Sequence, residues 1–189
     1  MSEEQLVRNC APTLAGMKTG SMFSGDFASR EEMNASLRAL NRALCAKGLR
    51  VLPLRWDGRA GRALIYVYRP GRLAKDLNES AAQTLLRSFG YPCGSPERCV
   101  VKLMNRLRES GKESFPHEVG LFLGYPTEDV IGFMERGPRA SKCTGCWKVY
   151  GDERKAKQTF ARYKKCTAAY CARYRNGTPL ERLAQNEPS

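Results

Sequence analysis

The fold is decided by the stretch LRVLPLRWDGRAGRALIYVY, which occupies residues 49–68. Two β-like runs, at 49–56 and 63–68, lie on either side of Asp57-Gly58. Aspartate followed by glycine favours a turn, and Gly61 follows closely, so the stretch predicts a hairpin with a loop of several residues. Because Pro53 has no backbone N–H, the first strand is predicted to lie at a sheet edge or to carry a bulge.

Helical patterns surround this hairpin. Ser29 and Glu32 form a capping box before an apolar repeat at residues 33–44, and Gly48 supplies its stop. Near the N-terminus, a short helix is predicted from Ser2, and Pro12 favours the start of a second one. Further helices are predicted at residues 72–77, 81–89, 96–110, 128–136 and 153–175, with a last short helix after residue 178.

Two more strands are predicted later in the chain, at residues 118–123 and 146–150. The first of these is mostly apolar and is typical of a central, buried strand. The intermixed helices and strands predict the α+β class, with a small, mostly antiparallel sheet of about four strands covered by helices. No long linker divides the chain, so we expect one domain over residues 1–185 and a loose tail at 186–189.

The charge and the cysteines narrow the setting of the protein. The 189 residues carry a net charge of +13, which attracts nucleic acid, acidic proteins, phosphorylated ligands or anionic lipid. No apolar run is long enough for a membrane span, and the N-terminus MSEEQ does not resemble a secretory signal. Eight cysteines without an export signal favour thiols, metal ligands or a redox site in the cytoplasm over a disulfide framework.

Several motifs together resemble one bacterial family. They are CAPTLAGMK at 10–18, FPHEVGLFLGYPTEDV at 115–130 and GCWKVYG at 145–151, supported by YVYR at 66–69 and by Lys165-Cys166. Over nearly its whole length the chain resembles the bacterial domain-of-unknown-function family 3793. The resemblance implies a cytoplasmic bacterial protein and supplies no activity. Relatives of the family are encoded near flavodoxin or iron-uptake genes, so the resemblance also implies a link to redox or iron metabolism.

The first candidate for chemistry pairs Cys10 with His117, the one histidine of the chain. A helix that begins at Pro12 would place positive dipole charge near Cys10 and lower the pKa of its thiol. An early cysteine and a later strand histidine follow the chain order of papain-like thiol enzymes, with Asp129 or Glu118 to orient the imidazole. The alternative is an inert, buried cysteine and a histidine bonded to nearby backbone.

The second candidate is a group of cysteines with the spacing C-x₂-C-x₁₉-C-x₄-C. Its first half, Cys143 and Cys146, is typical of a metal knuckle or a dithiol. Cys166 and Cys171 lie on a predicted helix and point about 140° apart, so both join one site only if that helix breaks. Cys143, Cys146 and Cys166 are therefore the candidate ligands for zinc or an iron–sulfur cluster, with ordinary thiols as the alternative.

The third candidate is the basic helix predicted at 153–175. Its interleaved basic and aromatic residues are compatible with binding of single-stranded nucleic acid by phosphate contact and stacking. The aromatic positions, however, fall on one helical stripe with small residues, which favours a core-facing stripe and a solvated basic face. That stripe consists of Ala156, Phe160, Tyr163, Thr167, Tyr170 and Tyr174.

The remaining candidates are ligand contacts. Lys18 lies near Cys10 and is expected to bind an anion or to lower the thiol pKa. Trp147 and Lys148 are candidates to line a pocket together with Glu118, although a tryptophan in a strand is usually core. With no phosphate-binding glycine motif present, a small molecule or an acidic protein is the expected partner.

Overall fold

The computed structural model describes residues 1–111 and 115–186. Its helices are, in chain order, α1 (Glu3–Leu14), α2 (Arg30–Leu44), α3 (Pro70–Leu77), α4 (Ser80–Ser88), α5 (Pro96–Glu109), α6 (Val119–Phe122), α7 (Thr127–Arg136), α8 (Glu153–Arg175) and α9 (Leu180–Leu183). Its strands are β1 (Gly20–Asp26), β2 (Arg50–Asp57), β3 (Arg62–Tyr68), β4 (Cys143–Thr144) and β5 (Lys148–Val149). The mixture of helices with antiparallel strands confirms the predicted α+β class.

The chain divides into two compact units. The first comprises Met1–Arg72 and Cys166–Ser189, and the second comprises Leu73–Lys165. A single domain over residues 1–185 stays a prediction, and the tail residues 187–189 lie outside the described residues. No helix within residues 1–111 and 115–186 combines the length and the apolar character that a membrane crossing needs.

The first unit is built on a three-stranded antiparallel sheet in the order β1-β3-β2. The predicted hairpin is confirmed, since β2 and β3 pair from Arg50 opposite Tyr68 to Asp57 opposite Arg62. The register shifts between Pro53 and Arg55 in the edge strand β2. Both expectations for the proline therefore hold, because its missing N–H is tolerated at an edge and at a bulge.

A buried arginine joins the segments of the first unit. Arg69 follows β3 and is completely buried. Its Nε donates to Thr13 O at 2.7 Å, and its Nη2 donates to Leu14 O and Gln185 O, each at 2.8 Å. Nη1 donates to Lys47 O at 3.1 Å. The cation thus satisfies carbonyls at the C-terminus of α1, where the helix dipole is negative.

The N-terminal part of the prediction needs two corrections. No second helix begins at Pro12, because α1 runs on through this residue and the proline lies in its last turn. Proline in the last turn removes only one backbone hydrogen bond, and few helical residues follow it, so the helix can include it. The chain then forms β1, which the sequence analysis missed. Small polar residues obscure its pattern, and one of them, Ser21, is buried with its Oγ 2.9 Å from Thr13 Oγ1.

The second unit contains α4, α5, α6, α7, the hairpin of β4 and β5, and the N-terminal part of α8. The predicted strand at 118–123 is wrong, because Val119–Phe122 form one helical turn. All four residues are buried, and a fully buried apolar run has no periodicity that separates strand from helix. The predicted strand at 146–150 shrinks to β5, which pairs with β4 apart from the main sheet.

The long helix α8 follows its predicted pattern. Asp152 caps it, with Lys155 N donating to Asp152 Oδ1 at 2.9 Å. The predicted stripe of small and aromatic residues is buried or half-buried along its whole length, whereas the basic side chains are exposed. The aromatic residues of α8 therefore belong to the packed interior.

Candidate functional site

A cavity of about 230 Å³ lies in the second unit. Its apolar walls come from α6 and α7, through Val119, Gly120, Val130 and Phe133. The remaining lining residues are polar or aromatic, namely His117, Tyr125, Asp129, Trp147 and Lys148. A largely apolar cavity with a few convergent polar groups is typical of a small-molecule site.

The position of the cavity wall is set by the buried carboxylate of Asp129. Its Oδ2 accepts a bond from Trp147 Nε1 at 2.7 Å. Its Oδ1 accepts from the backbone N–H of Tyr150 at 2.6 Å and from that of Gly151 at 2.8 Å. Three donors thus compensate a charge that would otherwise be costly to bury, and they attach the hairpin of β4 and β5 to α7.

Aromatic rings form the wall on the hairpin side. The rings of Trp147 and Tyr125 stack with centroids 5.0 Å apart and an interplanar angle of 29°. Phe160 of α8 meets Trp147 edge-to-face at 4.6 Å. Burial is the main cause that raises the pKa of Tyr125 to about 12, so its hydroxyl stays protonated at neutral pH. Trp147 is 9% exposed and is therefore both a core residue and a lining residue.

Two glycines of the family motifs are required by this packing. A Cβ at Gly120 would lie 2.7 Å from Val130 Cγ2 and 3.1 Å from Tyr125 Cδ2. A Cβ at Gly145, in the hairpin turn, would overlap the ring of Phe160. Glycine at both positions lets α6 approach α7 and lets the hairpin approach α8 closely enough to enclose the cavity.

His117 stands at the exposed side of the cavity. Its imidazole meets the ring of Phe133 edge-to-face at 4.7 Å, and the ring of Phe115 lies 5.7 Å away. These contacts orient the imidazole through apolar neighbours. The predicted orienting residue Asp129 lines the same cavity, but its carboxylate accepts bonds from the hairpin.

Lys148 brings positive charge to the cavity. Its half-buried side chain lies on β5, and Nζ is 3.4 Å from the neutral Thr144 Oγ1. Within residues 1–111 and 115–186 no carboxylate forms an ion pair with it. The Asp129 carboxylate is engaged by its own three donors, so Lys148 is available to an anion in the cavity.

Glu118, the other predicted ligand contact, lies next to the cavity and does not line it. It is 1% exposed, and its Oε1 accepts from Arg106 Nε at 2.6 Å and from the Tyr91 hydroxyl at 2.8 Å. Burial, followed by the charge of Glu118, raises the pKa of Tyr91. This buried network fixes the chain just before α6 and so supports the position of His117.

Cys10 occupies a different environment from the one predicted. It lies inside α1, in the core of the first unit, and is completely buried. Burial raises the pKa of the thiol to about 12, although the charge of Lys18 lowers it as expected. The predicted helix N-terminus beside Cys10 is wrong, because the residue lies inside α1, where desolvation of the thiol outweighs the lysine. His117 belongs to the second unit, and a reaction between the two residues stays a prediction.

The cysteines predicted to bind metal lie in unlike surroundings. Cys143 packs against the small cluster of Trp147, Val149 and Ala156, whereas Cys146 is exposed in the hairpin turn. Cys166 packs against the core of the first unit, and burial raises the pKa of its thiol.

A four-thiolate centre requires a break in α8, and the helix runs unbroken from Glu153 to Arg175. The described parts of the chain, 1–111 and 115–186, contain no group of three histidine, cysteine or acidic residues able to hold a metal ion. Zinc or iron–sulfur binding with fewer ligands stays a prediction.

Fold and site together define an α+β protein in which a buried aspartate supports the aromatic wall of a cavity that a lysine also lines. The chain belongs to the family described as Protein of unknown function (DUF3793), whose model matches residues 6–184. No curated protein and no solved structure matches it. The resemblance seen in the motifs is thereby confirmed, and two of those motifs, at 115–130 and 145–151, supply all the cavity residues except Phe133.

The sequence analysis singled out four lining residues: His117, Asp129, Trp147 and Lys148. Of the aromatic lining residues it missed Tyr125 and Phe133. Tyr125 lies inside the long family motif, between Gly124 and Pro126, where a turn residue gives no sign of a stacking role. Phe133 sits on an ordinary amphipathic helix, so its pattern predicts core packing and does not indicate a cavity.

Proposed function

We propose that the second unit binds a small planar organic anion, with one aromatic ring and a carboxylate-like group, in the cavity beside Trp147. The observation that carries this proposal is the combination of an aromatic wall with the positive charge of Lys148 in one apolar cavity. A reducing, cytoplasmic compartment accords with the eight cysteines, which are all free thiols.

The volume of the cavity sets the size of the ligand. A cavity of about 150 Å³ holds one benzene molecule. At about 230 Å³ this cavity has room for one ring and a short substituent, and it is too small for a nucleotide or a peptide. The apolar walls would bury the ring, and their valine and phenylalanine side chains supply most of the favourable surface burial.

The charge of the cavity sets the chemistry of the substituent. Lys148 can donate a charge-assisted hydrogen bond to an anionic oxygen, and such bonds are about twice as strong as neutral ones. His117 lies at the exposed side of the cavity, and its ring N–H offers a second donor beside Lys148. A neutral isostere of the ligand would keep the ring contacts and lose the charge assistance.

The proposal is tested by titrating the protein with benzoate and with its neutral isostere benzamide. The chain has two tryptophans, so the variant Trp56→Phe leaves Trp147 as the single fluorescent reporter. We expect saturable quenching by both probes, with benzoate bound about tenfold more tightly. Absence of saturable quenching by either probe contradicts the proposal.

Lys148→Met provides the decisive comparison. It should remove the preference for benzoate while leaving the affinity for benzamide unchanged, because the methionine preserves the apolar part of the side chain. Lys75→Met, which removes an exposed lysine of the same unit on α3, is the matched control and should keep the full preference. An equal loss in both variants would assign the preference to the overall net charge.

A further inference from the structure

The part of α8 within the second unit exposes a strongly basic surface. Eight side chains between Arg154 and Lys165 are exposed, and six of them are basic: Arg154, Lys155, Lys157, Arg162, Lys164 and Lys165. The other two are Gln158 and Ala161. Glu153 is the single acidic residue of the whole helix, and it pairs with Lys157 at 2.6 Å. This basic surface is the feature that the cavity does not explain.

The basic residues are arranged in two rows. Lys155 and Arg162 are seven residues apart, and so are Lys157 and Lys164, which places each pair on one side of the helix two turns apart. The two rows lie about 160° apart around the helix axis. Between them runs a central strip that carries Arg154, Gln158, Ala161 and Lys165, so basic side chains lie on both flanks and along the middle of the exposed face.

This arrangement matches the major groove of duplex DNA. The groove is about 12 Å wide and admits an α-helix, with a phosphate strand on each side. A helix with cations on both flanks can contact both phosphate strands at once, and the central Arg154 and Lys165 add to the attraction of the phosphates. The narrow major groove of A-form RNA does not admit a helix in this way.

Two other polyanions fit the surface less well. Stacking on single strands needs exposed aromatic rings, whereas Phe160 and Tyr163 pack inward against the hairpin cluster. Insertion at a membrane surface needs bulky apolar side chains beside the cations. Between Arg154 and Lys165 the aromatic side chains are half-buried against the hairpin, and Ala161 is the one apolar residue of the exposed face.

We propose that the exposed basic face of α8, from Arg154 to Lys165, binds the phosphate strands of duplex DNA from within the major groove. The contacts are ionic and positional, so binding is expected with little dependence on base sequence. The proposal is independent of the cavity and of its ligand.

The test is fluorescence anisotropy of a labelled 20-base-pair DNA duplex of mixed sequence with the full-length protein, over a series of salt concentrations. Two double variants each remove one row, Lys155→Gln with Arg162→Gln and Lys157→Gln with Lys164→Gln. Each should weaken binding about tenfold and reduce the slope of log K against log salt by about two, since every lost phosphate contact lowers it by about 0.9.

The matched control removes two exposed arginines from α2, Arg38→Gln with Arg42→Gln, for the same loss of net charge. It should keep the affinity within about twofold and the slope unchanged. Equal effects in the control and in the row variants would overturn the proposal, because binding would then follow net charge alone. Tighter binding of the single-stranded oligonucleotide, of duplex RNA, or of phosphatidylserine vesicles would also overturn it.

Discussion

The indole Nε1 of Trp147 donates to Asp129 Oδ2 at 2.7 Å, and this bond fixes the aromatic wall of the cavity to α7. The other oxygen of the same carboxylate accepts two backbone N–H groups from the end of the hairpin. Asp129 therefore shapes the cavity by holding its wall. The ring that lines the cavity and the carboxylate that supports it lie eighteen residues apart in the sequence.

Replacement of Asp129 by alanine should destabilise the protein by about 3–5 kcal/mol, because two buried donors and one partly buried donor lose their acceptor. Urea unfolding followed by far-UV circular dichroism measures this loss. Glu135→Ala, which removes an exposed acid of the same helix, is the control and should stay within about 0.5 kcal/mol of the wild type. Equal stabilities of the two variants would show that the Asp129 carboxylate does not stabilise the attachment of the hairpin to α7.

Replacement of Arg69 by methionine should also cost about 3–5 kcal/mol. The variant leaves the buried carbonyls of Thr13 and Leu14, and the partly buried one of Gln185, without their donor. The same unfolding experiment applies, with the exposed arginine Arg55→Met as control. A loss no greater than that of the control would contradict the role assigned to the buried guanidinium.

The packing of α6 against α7 is tested by a double-mutant cycle. Gly120→Ala should destabilise the protein by about 1–3 kcal/mol, because the new methyl group meets Val130 Cγ2. Val130→Ala removes the side chain that obstructs the new methyl group. Gly120→Ala should therefore cost less stability in the Val130→Ala background than in the wild type. If the losses in free energy of unfolding of the two single variants simply add in the double variant, residues 120 and 130 do not interact through packing.

The raised pKa of Cys10 predicts a loss of stability at high pH. The folded pKa is about 12 and the ordinary value is 9.0, so the unfolded thiol ionises first. The contribution of the neutral Cys10 thiol to the free energy of unfolding is complete below about pH 9 and is lost as the pH rises toward 12.

Between those values the wild type should lose stability more steeply than Cys10→Ala, by up to about 1.4 kcal/mol per pH unit. Other titrating groups are common to both proteins, so the difference in slope isolates the thiol. Parallel profiles would refute the buried, neutral state. Alkylation at neutral pH should correspondingly modify the exposed Cys45 and Cys146 before Cys10.

Local sequence signals predicted much of the fold. The hairpin at Asp57-Gly58 and the helix cap at Asp152 were predictable because turn and capping residues determine the conformation of residues only a few positions away. The strand β1 was missed because its buried positions include Gly20, Ser21 and Gly25, which do not mark a strand. The turn α6 was misassigned because every residue of it is buried, and burial alone does not distinguish helix from strand.

The site was predictable only in part for the same physical reason. Trp147 and Lys148 were recognisable as an aromatic and a cation side by side. The partners of Asp129 and the stacking of Tyr125 depend on tertiary contacts between α7 and the hairpin, which no local pattern specifies. The burial of Cys10 likewise follows from a helix that continues through Pro12.

The central claim, that the cavity beside Trp147 holds a small aromatic anion, is tested most directly by a ¹H–¹⁵N correlation spectrum during titration with benzoate. The indole signals of Trp56 and Trp147 are assigned with the variants Trp56→Phe and Trp147→Phe. The account predicts a saturable shift of the Trp147 indole signal while that of Trp56 stays in place. An unchanged Trp147 signal at benzoate concentrations in the millimolar range would contradict it.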